Sequence, residues 1–142
     1  MSFKKLKDRI KKNEGYSVRP YQDQLGFHTI GYGHLITEKE RKYYINKFKK
    51  KHFDDLFEID FKKAHKQYKK NFSKKGHTTS EKELLIEMLF QLGAKGVSKF
   101  KKMLYFLNKK QKHMASLEML DSLWYLQTPE RVKNLIKNYT KK

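Results

Sequence analysis

Cysteine is absent, proline occurs only twice and tryptophan once. No apolar run approaches the ~18 residues that a membrane-spanning helix needs. Without cysteine there are no disulfides, no thiolate zinc sites and no cysteine nucleophile. The composition fits folding in a reducing cytoplasm. The opening stretch, MSFKKLKDRIKKNEG, is too polar for a secretory signal, so passage through a membrane on a signal of its own is not expected. No membrane insertion is expected either.

The 142 residues suit one compact domain in two lobes, large enough to bury a real core. Aromatic side chains make up 14% of the chain, which argues against disorder despite 35% charged residues. Lys and Arg total 34 against 15 acidic residues, a net charge of +19. Such a surface attracts polyanions: nucleic acid, anionic lipid or acidic cell-wall polymer. Arginine stands only at Arg9, Arg19, Arg41 and Arg131. Nucleic-acid sites favour the bidentate arginine fork, so the lysines read equally well as an ordinary solvated surface.

Glycine and proline divide the chain. Gly15, Gly26, Gly31 and Gly33 crowd with Pro20 into residues 15–33, whereas residues 34–75 and 97–128 contain neither type. Turns and strands are expected early, then long helices. Ser2 is placed to cap a first helix with Phe3, Leu6 and Ile10 on one face, ending near Asn13. Residues 19–34 read as a hairpin or small sheet turning at Gln24-Leu25-Gly26. Thr37 and Glu40 have capping-box spacing and predict a helix with Tyr44, Ile45 and Phe48 inward. A second helix is expected over roughly 50–71, with Phe53, Leu56, Phe57, Ala64 and Tyr68 in one stripe. Ser80 and Glu83 predict the cap of the next, which Gly93 stops. Val97 to Leu107 and Met114, Leu117, Leu120 and Trp124 predict two more. Thr128-Pro129 reads as an N-cap with proline in the first turn of a last helix. The fold class is α+β.

Glu14 stands where the first helix gives out, at the negative end of the helix dipole, which disfavours its ionised form. Asp23 falls in the hairpin, with Thr29 across the turn. A carboxylate and a hydroxyl there suit the holding of one water. Two carboxyl groups flanking a cleft are the minimum for glycoside hydrolysis. The plainer alternative is a frayed helix end and a turn-forming aspartate. Asp60 interrupts the apolar stripe of helix 50–71 and either needs a partner or faces solvent. The histidines His28, His52, His65, His77 and His113 show no ligand spacing, so no metal is assigned.

Glu14-Gly15, Tyr21, Asp23, Gly26, Thr29-Ile30-Gly31, Gly33-His34 and Thr37 together resemble the signature of the phage lysozymes, the endolysins of glycoside hydrolase family 24. Met88, Phe90-Gln91, Gly93, Gly96-Val97 and Phe100 resemble the T-even branch, as do Trp124-Tyr125, Gln127-Thr128-Pro129 and Arg131. The resemblance implies a lysozyme-like fold over 1–142. It has a small sheet lobe (14–49), a connecting helix (50–71) and a helical lobe (72–142) on which helix 2–13 packs. It implies Glu14, Asp23 and Thr29 as the catalytic trio, and Leu35, Phe90 and Gln91 along the sugar groove. For Phe90 and Leu35 a core role is nearly as good a reading. It pairs His34 with Asp60, raising the pKa of the first and lowering that of the second. Trp124 is a candidate partner for Gln91. Arg131 is brought toward Glu14, where a cation opposes the effect of burial; from residues alone Arg131 is equally an exposed helix residue.

The activity implied is inverting cleavage of the β-1,4 bond between N-acetylmuramic acid and N-acetylglucosamine in peptidoglycan, with no cofactor and by a monomer. The basic surface would gather the enzyme on anionic envelope polymers. A phage holin would release it from host cytoplasm to periplasm for host lysis. The stretch from His34 to Asp60 is shorter than in the T-even pattern, and the chain stops soon after Tyr139. A lytic transglycosylase-like cleavage and a basic nucleic-acid-binding module are the alternatives, though no specific nucleic-acid motif stands out.

Overall fold

The computed structural model describes residues 3–24, 26–45, 47–73 and 76–141. The expected Ser2 cap and Leu25 of the expected turn lie outside these residues. The chain forms two compact units, residues 1–62 and 63–142, with the boundary inside one long helix. The whole is α+β, with a small antiparallel sheet and many helices.

In the first unit, α1 (Lys4–Glu14) buries Leu6 and Ile10, one helical turn apart. Gly15 follows it with φ 75°, and its N–H bonds the Lys11 carbonyl to close the last turn. β1 (Ser17–Gln22), β2 (His28–Gly31) and β3 (His34–Leu35) form a three-stranded antiparallel sheet in that order. Tyr21 lies opposite Thr29, and Ile30 opposite His34. Ile30, Tyr44 and Phe53 make the core of this region, with Tyr32, Ile36, Phe48 and Leu56 packed against it. Gly31 has no room for a side chain, since a β-carbon there would stand 2.8 Å from the Phe53 ring. α2 (Lys50–Asn71) matches its expected span, and Phe61 joins its buried stripe.

The helix expected after Thr37 is absent. Residues 38–40 and 43–45 form two single 3-10 turns, with Tyr44 buried and Ile45 82% exposed. Thr37 does bond Glu40, but the following Tyr43-Tyr44-Ile45 run has weak helix propensity, and so short a helix is marginal without a packed face.

In the second unit, α3 (Thr79–Ser98) is broken at Gly93, whose φ of 75° ends the regular helix as its position foretold. The cap of α3 is Thr78 with Glu81, not Ser80 with Glu83. Both pairs have the right spacing. Tertiary contact decides, because Lys110 reaches Glu81 at 2.6 Å and fixes it as the capping carboxylate. α4 (Lys101–Asn108), α5 (Lys112–Leu120), α6 (Leu123–Gln127) and α7 (Pro129–Thr140) follow. The single helix expected through 114–124 is two, since Ser122 caps α6 by accepting from the Tyr125 N–H. Of its expected stripe only Trp124 is buried. Ala115, Ser116 and Met119 are buried, whereas Met114, Leu117 and Leu120 are exposed. Small side chains allow close helix approach, and a hydrophobicity pattern gives them little weight. Thr128 precedes Pro129 as expected, but its hydroxyl donates back to the Trp124 carbonyl and leaves the new helix uncapped.

Candidate active site

Glu14 is the last residue of α1, half-buried, with its side chain over the β2–β3 turn. A β-carbon at Gly33 would come within 2.7 Å of both Cδ and Oε1 of Glu14. With φ 77° as well, position 33 accepts glycine for two separate reasons.

Asp23 closes the hairpin. Its N–H donates to the Phe27 carbonyl at 2.9 Å, and its Oδ1 accepts from the Phe27 N–H at 2.9 Å. Thr29 is fully buried and donates its hydroxyl to the same Phe27 carbonyl at 2.8 Å. Phe27 therefore ties the carboxylate and the hydroxyl to one peptide frame. With its proton so used, the Thr29 oxygen faces other groups as an acceptor. Tyr21 lies beside this group. Burial chiefly, and then the negative charges of Glu14 and Asp23, push its phenol above the usual value. Glu14, Asp23 and Thr29 thus converge on Tyr21, the first two by charge and the third as its strand partner.

His34 begins β3 and bonds Asp60 of α2, Nδ1 to Oδ2, at 2.8 Å. Its Nε2 meets Glu40 Oε2 at 2.9 Å. An ionised carboxylate only accepts, so an imidazole held by two of them is doubly protonated. Burial pulls the His34 pKa down, but hydrogen bonds and charge from Asp60 and Glu40 outweigh it and raise the pKa. For Glu40, burial acts upward. The Thr37 N–H and the His34 cation overcome it and hold the carboxyl below its ordinary value. Glu40 reads in sequence only as a capping residue. Its second task depends on where the sheet brings His34, which no local spacing reveals.

In the second unit, Trp124 donates its indole N–H to Gln91 Oε1 at 3.0 Å, the pairing expected. Phe90 is half-buried beside it in sequence, and in the first unit Leu35 is exposed at the end of the sheet. Arg131 is buried rather than exposed and lies 3.6 Å from Glu87 Oε2, itself fully buried. Glu87 was missed, although a carboxylate inside Leu84-Leu85-Ile86-Glu87-Met88-Leu89 signals a buried charge in need of a cation.

A helix-terminal glutamate thus stands beside a hairpin that holds an aspartate and a buried threonine, in an α+β frame. Comparison with known proteins gives the family. The phage lysozyme family model matches residues 11–140. Two proteins of Dictyostelium discoideum named probable T4-type lysozyme 1 and 2 are each 32% identical, over 92% of this chain and 91% of theirs. The pre-baseplate central spike protein Gp5 of Enterobacteria phage T4 is 29% identical over 92% of this chain, a match covering 26% of that larger protein. The chain belongs to the phage lysozyme family.

Proposed function

We propose that this lysozyme is a muramidase that hydrolyses the β-1,4 bond between N-acetylmuramic acid and N-acetylglucosamine in peptidoglycan, with inversion. Glu14 protonates the leaving oxygen. Asp23 and Thr29 hold the water that attacks the opposite face of the sugar. The reading rests above all on the Phe27 peptide, which fixes Asp23 and Thr29 together beneath the same hairpin that Glu14 borders. Leu35, Phe90 and Gln91 serve as sugar contacts, and Arg131 acts as a positioning residue. His34 and Asp60, with Glu40, hold the sheet against α2 and keep the hairpin in place. The basic surface gathers the enzyme on anionic envelope polymers. Lysis of a host cell from within, after release by a holin from cytoplasm to periplasm, is the setting that family likeness supports.

The test is cleavage of purified peptidoglycan by the wild type and by Glu14→Gln. The amide keeps the shape but delivers no proton, so a rate loss of about 1,000-fold with unchanged melting temperature is expected. Products carrying one added water are expected, and an anhydro-sugar product would replace hydrolysis with transglycosylation. Full activity of the variant would move the acid role elsewhere.

A further inference from the structure

The side chains that a helical pattern assigns to the core of the second unit stand outside it. Met114, Leu117 and Leu120 follow one another at three-residue steps along the outward side of α5, and all are exposed. Across the short break, Leu123 and Leu126 repeat that step on α6 at 68% and 74% exposure. Single exposed leucines are ordinary, but four leucines and a methionine exposed at three-residue steps over two successive helices are an unusual run. The neighbouring α4 has a different character. Lys101 and Lys102 line an open groove of about 420 Å³ with Tyr105 and Phe106, against Glu118 of α5. Tyr105 is itself exposed, with the Lys109 ammonium 5.8 Å from its ring.

We propose that this face lies on anionic lipid bilayers, with the leucines of α5 and α6 set among the acyl chains at the interface and the α4 lysines on the headgroups. Exposed leucine, tyrosine and lysine on neighbouring helices match the composition that helices take when they lie in the plane of a membrane. Charge selects this occupant over a second copy of the chain. Two faces of a +19 protein repel, whereas an anionic surface draws them in. Among the described residues no helix is long and apolar enough to cross a membrane, so the contact is peripheral. For an enzyme of the envelope such a contact confines diffusion to the surface where its polymer lies.

The experiment sediments the full chain with vesicles of phosphatidylcholine alone, or of equal parts phosphatidylcholine and phosphatidylglycerol. Wild type pellets with the second and not the first. The double variant Leu123→Ser, Leu126→Ser partitions about tenfold or more weakly, because the lost apolar contact is that of two leucines. Leu117→Ser, on the other helix, weakens partition by a smaller factor. Both positions altered on α6 are exposed, and a melting temperature near that of wild type shows that the variant is folded. Equal pelleting of double variant and wild type would overturn the proposal in favour of charge alone. Failure of the wild type to pellet would overturn it outright, as would a wild-type dimer that the leucine changes dissolve. The vesicles contain no glycan, so these outcomes are independent of the muramidase reading. Glu14→Gln, which tests that reading, should pellet like wild type.

Discussion

The sheet-bearing unit and the helical unit differ in how deeply they bury their paired charges. In the first, the ion pair that matters is half-buried and fully hydrogen-bonded, with His34 clasped by Asp60 and Glu40. Ile30, Tyr44 and Phe53 form a small apolar core in the same region, so directed bonds and packing share the placing of the sheet. In the second, Glu81 and Glu87 are fully buried, the first bonded to Lys110 and the second beside Arg131, and helix packing around Leu85, Met88, Leu107 and Met119 dominates. One region joins a hydrogen-bonded clasp to a small core and holds the candidate chemistry; the other rests chiefly on packing. The lesson is that a damaged core and a damaged site should be separable by experiment.

Leu85→Ala should make the largest difference in stability. The side chain is fully buried, and its loss is expected to cost ~3 kcal/mol, read by chemical denaturation. Residual activity of the folded fraction should be nearly unchanged. Gly33→Ala probes the opposite case. Its β-carbon displaces the Glu14 carboxyl, so turnover should drop about tenfold or more while stability falls by only ~1 kcal/mol. A variant that loses stability and keeps full turnover would erase the distinction between the regions.

His34→Asn tests the clasp through pH. The raised His34 pKa gives stability that is whole below its ordinary value of 6.5 and fades as pH rises through the raised value. The lowered Glu40 pKa gives stability that is whole above 4.5 and fades as pH falls through the lowered value. The gap in unfolding free energy between wild type and variant should therefore peak between pH 4.5 and 6.5, at ~1–2 kcal/mol, and shrink on both sides. A flat gap would remove the clasp as an energetic link. Ile45→Ser, at an 82% exposed site, should change stability by less than ~0.5 kcal/mol, although its neighbour Tyr44 is a core residue.

Much of this was legible in the residues. Gly15, Gly93 and Pro129 mark backbone requirements that any fold must obey, and the elements they bound fall where expected. The long helix followed from its apolar stripe. What could not be read were choices that distant contacts make. Lys110 selects Glu81 over Glu83 as the capping residue, and Glu40 turns to His34. Size misled in α5, where the bulky residues face out because Ala115 and Ser116 pack inward. At the site, the residue types and their order were visible. The Phe27 peptide that links Asp23 to Thr29 was not, since backbone groups carry no signature in sequence.

Trp124, the single indole of the chain, sits in the helical unit, 4% exposed and bonded to Gln91. Its fluorescence is a local gauge, blind to the helix end that bears Glu14 and the hairpin that bears Asp23 and Thr29. Far-ultraviolet circular dichroism, by contrast, sums helices from end to end, α2 among them. Melting curves by the two methods that overlay would mean the halves open as one; a circular dichroism loss that precedes the fluorescence change would assign the earlier opening to the sheet-bearing half without any label being added.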